Sequence, residues 1–536
     1  MTHWIGPVLY IALMAFLPLI YVSLKTISPA KLRDKTFVIL MVKDFIRTVP
    51  ICGLMCLPFL IYPPITPVYL ILVQIIFMPL MFMELGHVYL FGTRIGLNTF
   101  YTVFVSNIRE TREYIGQNIP KVLYGLAAVF LIGPLVWIGT MPLPAYTGPV
   151  PHVLCVGVAV AIATPFMLNL PRKWPRFKDG YILNPFSNIF YHYYQYRKNY
   201  QALKAHIAAN RAPAFAPILS RLPPDVPETY LIVIGESANR MHFSCYGYPR
   251  NTNEYTAAFG DEMMYFDHVR SPFAQTMPSL ERTLSFADAA HPTYLTDKGN
   301  IIDYFKQAGF KTYWLSNQYA LEDTVITAMT THADYNKCYN FGGMKRFEKA
   351  GLDGDLLPDI RRFIADTTVL KKVIFVHLIG SHSAYTNRYP SEFTCFTDTM
   401  PGRHLSPAGY QLLNAYDDSI RYTDYVIAEM IRALKQQNGA SYLLYFSDHG
   451  EDIYDSTDTR ILGHSELANE PMTSVPFMVW ISQTLHHLRP DLSVRARHPA
   501  DSYNLEQAIH TILDLSSLTN DDFDVCQSIL APPETQ

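Results

Sequence analysis

The apolar positions of this chain fall into two regimes. Up to residue 170 they form long unbroken runs, and from residue 228 they form short runs separated by amphipathic stretches. The first long run, Trp4–Leu24, carries no charge. Thr48–Ile65 and Pro67–Phe82 follow, divided by YPPITP, which reads as a tight turn at a membrane surface. Val122–Met141 and His152–Leu170 make five. A membrane-spanning helix needs about 20 apolar residues, so the pattern predicts five spans. A buried core helix would explain one such run, but not five within 170 residues. Trp4–Leu24 is not read as a secretory signal, because it lacks a basic leading segment and more spans follow.

The short runs are Tyr230–Ile234, Thr312–Ser316, Val373–Leu378, Tyr442–Phe446 and Val475–Ile481. Amphipathic stretches such as Ile301–Ala308 and Gln411–Leu434 lie between them. This alternation predicts a mainly parallel α/β sheet covered on both faces. Pro171–Tyr200 is rich in Arg, Lys and aromatic rings, as suits a membrane interface. Ala212–Pro227 is proline-rich and marks a boundary. The expected organisation is a transmembrane domain over residues 1–171, an interfacial linker over 172–227 and a catalytic domain over 228–536.

Composition narrows the classes. Of 536 residues 49% are hydrophobic and 17% charged, which excludes a disordered chain. A net charge of -3 excludes a generally basic protein that coats nucleic acid. The mean hydropathy of +0.07 is an average over the two regimes. Of seven cysteines, Cys52, Cys56 and Cys155 fall in predicted spans and are read as apolar packing. The other four, Cys245, Cys338, Cys395 and Cys526, leave room for one or two disulfides. Cys338 and Cys395 could pair only if the fold brings them together.

In parallel sheets ligands collect at the carboxyl ends of the strands, so polar residues directly after the apolar runs come first. The first run ends in Gly235-Glu236-Ser237 and the third in His377-Leu378-Ile379-Gly380-Ser381-His382. The fourth ends in Ser447-Asp448-His449-Gly450-Glu451, and a later loop holds Gly463-His464-Ser465-Glu466. Each alone is an ordinary cap or hydrogen-bonding group. Together they would place carboxylates and imidazoles at one sheet edge, a mixed oxygen and nitrogen set suited to zinc, or to manganese. For a nucleophile, Gly-x-Ser-x-Gly is absent and no Cys sits beside a strand-end His. SPFAQTMPSLERTL (Ser271–Leu284) reads as a loop turning into a helix, and Thr276 and Ser279 both stand near its positive end. Both also read as helix caps.

The chain resembles the bacterial phosphoethanolamine transferases that modify lipopolysaccharide. The resemblance rests on VIGESANRMHFSCYGYPRNTNE (Val233–Glu254), SPFAQTMPSLERTLSFA (Ser271–Ala287), GFKTYWLSNQ (Gly309–Gln318), VHLIGSHSAYTNRYP (Val376–Pro390), YDDSIRYTDYVI (Tyr416–Ile427) and YFSDHGED (Tyr445–Asp452). It implies an α-helical membrane domain of five spans and an α/β soluble domain of the alkaline phosphatase/sulfatase type. It implies a monomeric inner-membrane enzyme that takes phosphoethanolamine from phosphatidylethanolamine and passes it to lipopolysaccharide, at core heptose or lipid A. Thr276 matches the family's nucleophile. Glu236, Asp448 and His449 match its zinc ligands, with Thr276 completing the shell. One zinc ion or two are implied. His382 and His464 match histidines near the incoming phosphate or a second zinc, and His377 shares the strand end of His382. In FVSNIRETREYI, Asn107, Glu110 and Glu113 match positions that hold the ethanolammonium head. No nucleic-acid partner is implied.

Two tensions remain at this level. Counting Lys and Arg in the loops places the C-terminal domain in the cytoplasm, because Lys25, Lys31, Arg33, Lys35, Lys43 and Arg47 follow the first span. The resemblance places it in the periplasm. The same fold would also serve a phosphoglycerol transferase, or an enzyme acting on periplasmic glucans or another envelope glycan. A membrane-anchored scaffold with a degenerate site is a third reading, against which the retained Glu236, Thr276, Asp448 and His449 argue.

Overall fold

The computed structural model of the chain describes residues 5–26, 55–91, 94–96, 99–100, 121–141, 185–208, 217–319, 325–340, 351–457, 468–495 and 502–531, with single positions between 33 and 53. Two compact units are present. One comprises Met1–Phe100 and Asn118–Lys198, and the other Tyr101–Gln117 and Asn199–Gln536.

In the first unit, helices α1 (Ile5–Thr26), α2 (Thr66–Phe91), α3 (Lys121–Gly139) and α4 (Pro185–Ala208) are described. Two stretches, Ile5–Lys25 and Pro63–Leu90, are long and apolar enough to cross a membrane, and Leu123–Gly139 is a shorter apolar helix. The predicted turn at YPPITP is a short 3-10 turn, Pro63–Ile65, leading into α2. The predicted span His152–Leu170 lies outside the described residues, as does much of Thr48–Ile65. The span predicted over Pro67–Phe82 is longer than expected, because α2 runs on to Phe91. Glu84 does not end it: its buried carboxylate accepts from Arg94 Nε at 2.8 Å and from Asn188 Nδ2 at 3.3 Å. Gln74 of α2 shows how polar groups are settled in this unit. Pro134 has no N–H to give the carbonyl of Phe130, four residues earlier in α3, and Gln74 Nε2 donates to that carbonyl at 2.7 Å. Tyr10 of α1 in turn donates to Gln74 Oε1, so one amide ties three helices.

The second unit is built on a seven-stranded sheet. Its strands are β1 (Glu228–Gly235), β2 (Met263–Tyr265), β3 (Lys311–Tyr319), β4 (Tyr335–Asn340), β5 (Lys371–His377), β6 (Ala440–Ser447) and β7 (Phe477–Ile481). Their order is β2-β7-β6-β1-β5-β3-β4. Strands β4, β3, β5, β1 and β6 are parallel, and β7 runs antiparallel to β6 and β2. The five predicted strands are all present. The two unpredicted ones are the edges: β2 has three residues, and β4 (YNKCYN) lacks an apolar run.

Successive residues of the strands face opposite layers. Tyr230, Ile232 and Ile234 face one layer with Phe375, Tyr442 and Leu444, packed by helices α5 (Thr276–Thr283), α6 (Ile301–Gln307) and, near the C-terminus, Ala508–Leu515. Leu231 and Val233 face the other with Ile374, Val376 and Leu443, packed by α7 (Leu357–Ala365) and α8 (Pro407–Leu434). Burial on both faces explains why the runs Tyr230–Ile234 of β1 and Tyr442–Phe446 of β6 are apolar without a break. It also leaves the carboxyl edge as the place where polar side chains gather. Among the described residues every cysteine is free, so the disulfides allowed for by the sequence do not form there. Cys338 sits on edge strand β4, its thiol donating to the carbonyl of Gln318, and Cys395 lies in a separate exposed segment.

Candidate active site

The two central strands deliver the carboxylates. β1 ends at Gly235, and Glu236 follows in a turn whose next residue, Ser237, takes a left-handed φ of 56°. That strained turn is held on all sides. Ser237 N donates to Asp448 Oδ1 at 3.1 Å, Ser237 Oγ to Glu236 Oε1 at 2.8 Å, and Tyr416 OH to the Ser237 carbonyl at 2.7 Å. β6 ends at Ser447, and the turn after it places Asp448 and His449 side by side. Asp448 Oδ1 also accepts from its neighbour's backbone, His449 N, at 2.7 Å.

Backbone packing at this edge tolerates no side chain at two positions. A Cβ on Gly380 would stand 2.9 Å from both the N and the O of Glu236, and φ there is +48°. A Cβ on Gly450 would stand 2.2 Å from the carbonyl of Pro471. Both turns are thereby pressed against their neighbours.

Thr276 is the first residue of α5, at the positive end of the helix. Its Oγ1 lies 3.1 Å from Glu236 Oε2, 3.3 Å from Oε1 and 3.4 Å from His449 Nε2. Ser279, the other hydroxyl that the sequence offered, is wholly buried. It donates to the Phe273 carbonyl at 3.1 Å and meets Ser271 Oγ at 2.9 Å, bracing the loop before the helix. Contacts that sequence does not display therefore separate the two.

The ligand atoms of Glu236, Asp448 and His449 lie within 4.8 Å of one another. Their electrostatics describe a site built around positive charge. Burial pushes Asp448 up, with the neighbouring Glu236 charge adding to it, to about 7. Burial works the same way on Glu236, but the hydrogen bond and charge of His449 outweigh it and hold the carboxyl well below the usual range. Burial would lower His449, yet Asp448 and Glu236 raise it to about 10. Two buried carboxylates this close favour positive charge beside them, which a protonated His449 or a metal ion supplies. The residues present fit zinc. Asp448 Oδ2 is buried and accepts no hydrogen bond. His449 Nδ1 is engaged by the Gly450 carbonyl at 2.8 Å, which directs Nε2 inward as the ligand atom.

His377 ends β5, and its register places it beside Ile234 of β1. It is buried, its Nε2 accepts no hydrogen bond, and burial lowers it to about 4, so it is neutral. His382 follows in the next turn and is close enough to Glu236 for its charge to help keep that carboxyl ionised. His464, Asn107, Glu110 and Glu113 lie outside the described residues.

One residue of the site had no assigned role. Gln318, at the end of β3, donates its amide to Glu236 Oε2 at 3.0 Å and to the Leu378 carbonyl at 2.7 Å. Its signal was available, since it is a polar residue directly after an apolar strand run. Beside it Asn317 donates to buried Asp353 at 2.8 Å. Asp353 accepts the N–H groups of Ile379 and Gly380, both at 2.9 Å, and so fixes the turn that carries His382.

Comparison with known proteins follows this geometry. A family model described as Sulfatase matches residues 228–518. Phosphoethanolamine transferase EptC of Escherichia coli (strain K12) is 28% identical over 473 residues, covering 83% of this chain and 79% of that protein. The crystal structure of the C-terminal periplasmic domain of EptC from Escherichia coli, in complex with Zn, is 30% identical with a TM-score of 0.55. That match covers 60% of this chain and 91% of the other. The integral membrane lipooligosaccharide phosphoethanolamine transferase A (EptA) from Neisseria meningitidis is 20% identical with a TM-score of 0.68, over 97% of this chain and 98% of the other. That likeness is one of fold, and it takes in the helical unit as well as the sheet.

Proposed function

The chain belongs to the sulfatase family, in its phosphoethanolamine transferase branch, and on that premise we propose that it moves phosphoethanolamine from phosphatidylethanolamine to lipopolysaccharide through Thr276. One observation carries the mechanism: the Thr276 hydroxyl is 3.1 Å from Glu236 and 3.4 Å from His449, inside the cluster that fits a metal.

Glu236, Asp448 and His449 would hold one zinc ion, with Thr276 beside them. When bound, zinc supplies the Lewis acidity that a threonine hydroxyl needs to react near neutral pH. The chain's own residues do the rest. The Thr276 hydroxyl donates a hydrogen bond to Glu236 Oε2, which orients Oγ1, and α5 aims its positive end at the incoming phosphoryl group. Thr276 Oγ1 forms a bond to phosphorus as the bond to the glycerol oxygen breaks, and the threonine proton leaves on diacylglycerol. The acceptor hydroxyl oxygen then attacks phosphorus from the other side, the bond from phosphorus to Oγ1 breaks, and Oγ1 takes up the proton that the acceptor gives up. Neutral His377 and the nearby His382 line the neighbouring strand end, placed to meet phosphoryl oxygens.

The finer features belong to the same reading. Residues 1–171 form five spans, residues 172–227 an interfacial linker, and residues 228–536 a catalytic domain in the periplasm of a monomeric inner-membrane protein. His464, Asn107 and Glu110 bind the donor's phosphate and ammonium. A C-terminal reporter active only in the cytoplasm would refute this topology. The mechanism is tested by Thr276→Ala. Purified enzyme incubated with donor alone should carry phosphoethanolamine on Thr276 by intact-protein mass spectrometry, and the variant should carry none. Modification of lipopolysaccharide by the variant would overturn the reading.

A further inference from the structure

A short segment beyond α2 carries an arginine, Arg94, that is nearly buried and largely unused. Arg94 Nε donates to Glu84 at 2.8 Å, and the Arg94 side chain is 12% exposed. Its two terminal nitrogens, Nη1 and Nη2, are buried and donate no hydrogen bond. Among the described residues Glu84 is its only ion-pair partner. That carboxylate is wholly buried and also takes Asn188 Nδ2 at 3.3 Å on each oxygen. Asn188 further donates to the Ile95 carbonyl at 2.8 Å, which fastens α4 to the segment carrying Arg94. The guanidinium is thus held by one edge, with four N–H donors left over.

Buried donors without acceptors are costly, more so on a charged group. A guanidinium fork presented this way matches two oxygens of one phosphoryl group. Depth identifies the source of those oxygens. α2 has 26 residues and is about 39 Å long, against a hydrocarbon core of about 30 Å. A helix entering the core at Thr66 leaves it after about 20 residues, close to residue 86, so the guanidinium, bonded to Glu84, stands at the far edge of the core within reach of the lipid headgroups.

We infer that Arg94 binds the phosphodiester of a membrane phospholipid through Nη1 and Nη2, with Glu84 and Asn188 as positioning residues that hold the guanidinium. Every residue in this set belongs to the helical unit, and none is among the four that converge at the sheet edge. The inference does not depend on the transfer reaction.

Native mass spectrometry of the full-length protein in detergent tests it with phosphatidylglycerol, which has the phosphodiester but no ethanolamine. The wild type should retain one such lipid, and diacylglycerol, which lacks phosphate, should not be retained. Arg94→Gln should weaken retention about tenfold or more. Glu84→Gln keeps an oxygen acceptor to hold Nε and removes only the competing negative charge, so it should hold the lipid at least as tightly as the wild type. Unchanged retention by R94Q overturns the site. Displacement of the lipid by millimolar inorganic phosphate overturns the lipid assignment in favour of a soluble anion. If R94Q does not fold, Arg94→Lys decides, since it keeps the charge and loses the fork: weakened retention supports the site, and retention equal to the wild type overturns it.

Discussion

The sheet edge of one unit and the end of α2 in the other both bury carboxylates, but they are incomplete in opposite senses. At the sheet edge Asp448 Oδ2 is an acceptor with no donor, beside a second carboxylate. At the end of α2, Arg94 Nη1 and Nη2 are donors with no acceptor. A third buried cluster is complete. His242 Nδ1 meets Asp417 at 2.7 Å and its Nε2 meets Asp455 at 3.1 Å. Asp417 also accepts from Tyr248 OH at 2.8 Å and Arg250 at 2.7 Å, while Arg403 reaches Asp455 at 3.2 Å. Completed networks brace the fold. At these two incomplete sites the sign of the missing partner is the sign of the ligand each is proposed to take.

The largest effect should come from the incomplete acceptor. Thr276→Ala should lower transfer to lipopolysaccharide by at least about a thousandfold, measured by mass spectrometry of the product, with the fold intact by circular dichroism. Removing metal with a chelator should come next. Bare Glu236 and Asp448 repel, so the melting temperature of the catalytic unit should fall by several degrees, and zinc should restore it. A melting point indifferent to chelation would erase the distinction between the sheet edge and the complete cluster.

His242 probes the complete cluster from the other direction. Burial would lower its pKa, but Asp455 and Asp417 raise it to about 10. A raised folded pKa means that its stabilisation is fully present below about pH 6.5 and is lost as pH rises through about 10. His242→Gln should cost about 3–5 kcal/mol near neutral pH, read from denaturant unfolding, and should flatten the decline of stability across that window. Zinc content should stay unchanged, since no ligand is touched.

Gln318→Leu sharpens the contrast within the site. It removes a donor from Glu236 without altering the ligand set, so zinc affinity or turnover should fall about 10–100-fold. The smallest effect belongs to the helical unit. Gln74→Leu leaves the Phe130 carbonyl without its donor and should cost about 1 kcal/mol, measured by thermal unfolding in detergent.

Much of this was legible in the chain. Buried strands are apolar on both faces, so β1, β3, β5, β6 and β7 could be read directly, and the polar residues after them led to Glu236, Asp448 and His449. Strands β2 and β4 were not legible because edge strands need no apolar run. Thr276 and Ser279 looked alike, since both are hydroxyls near one helix start; only their partners, far along the chain, distinguish them. The span over Pro67–Phe82 was read too short, because Glu84 beyond it is met by an ion pair from Arg94 and a hydrogen bond from Asn188, 10 and 104 positions away. Local pattern reports burial well, and it cannot report which distant group satisfies a buried charge.

The bond from Ser237 N to Asp448 Oδ1 joins residues 211 positions apart. Glu236 is made early in synthesis and its partners in the metal cluster late. A growing chain therefore carries no complete candidate metal cluster until β6 has been added beside β1, and a product that stops before residue 448 would lack two of its three members, Asp448 and His449.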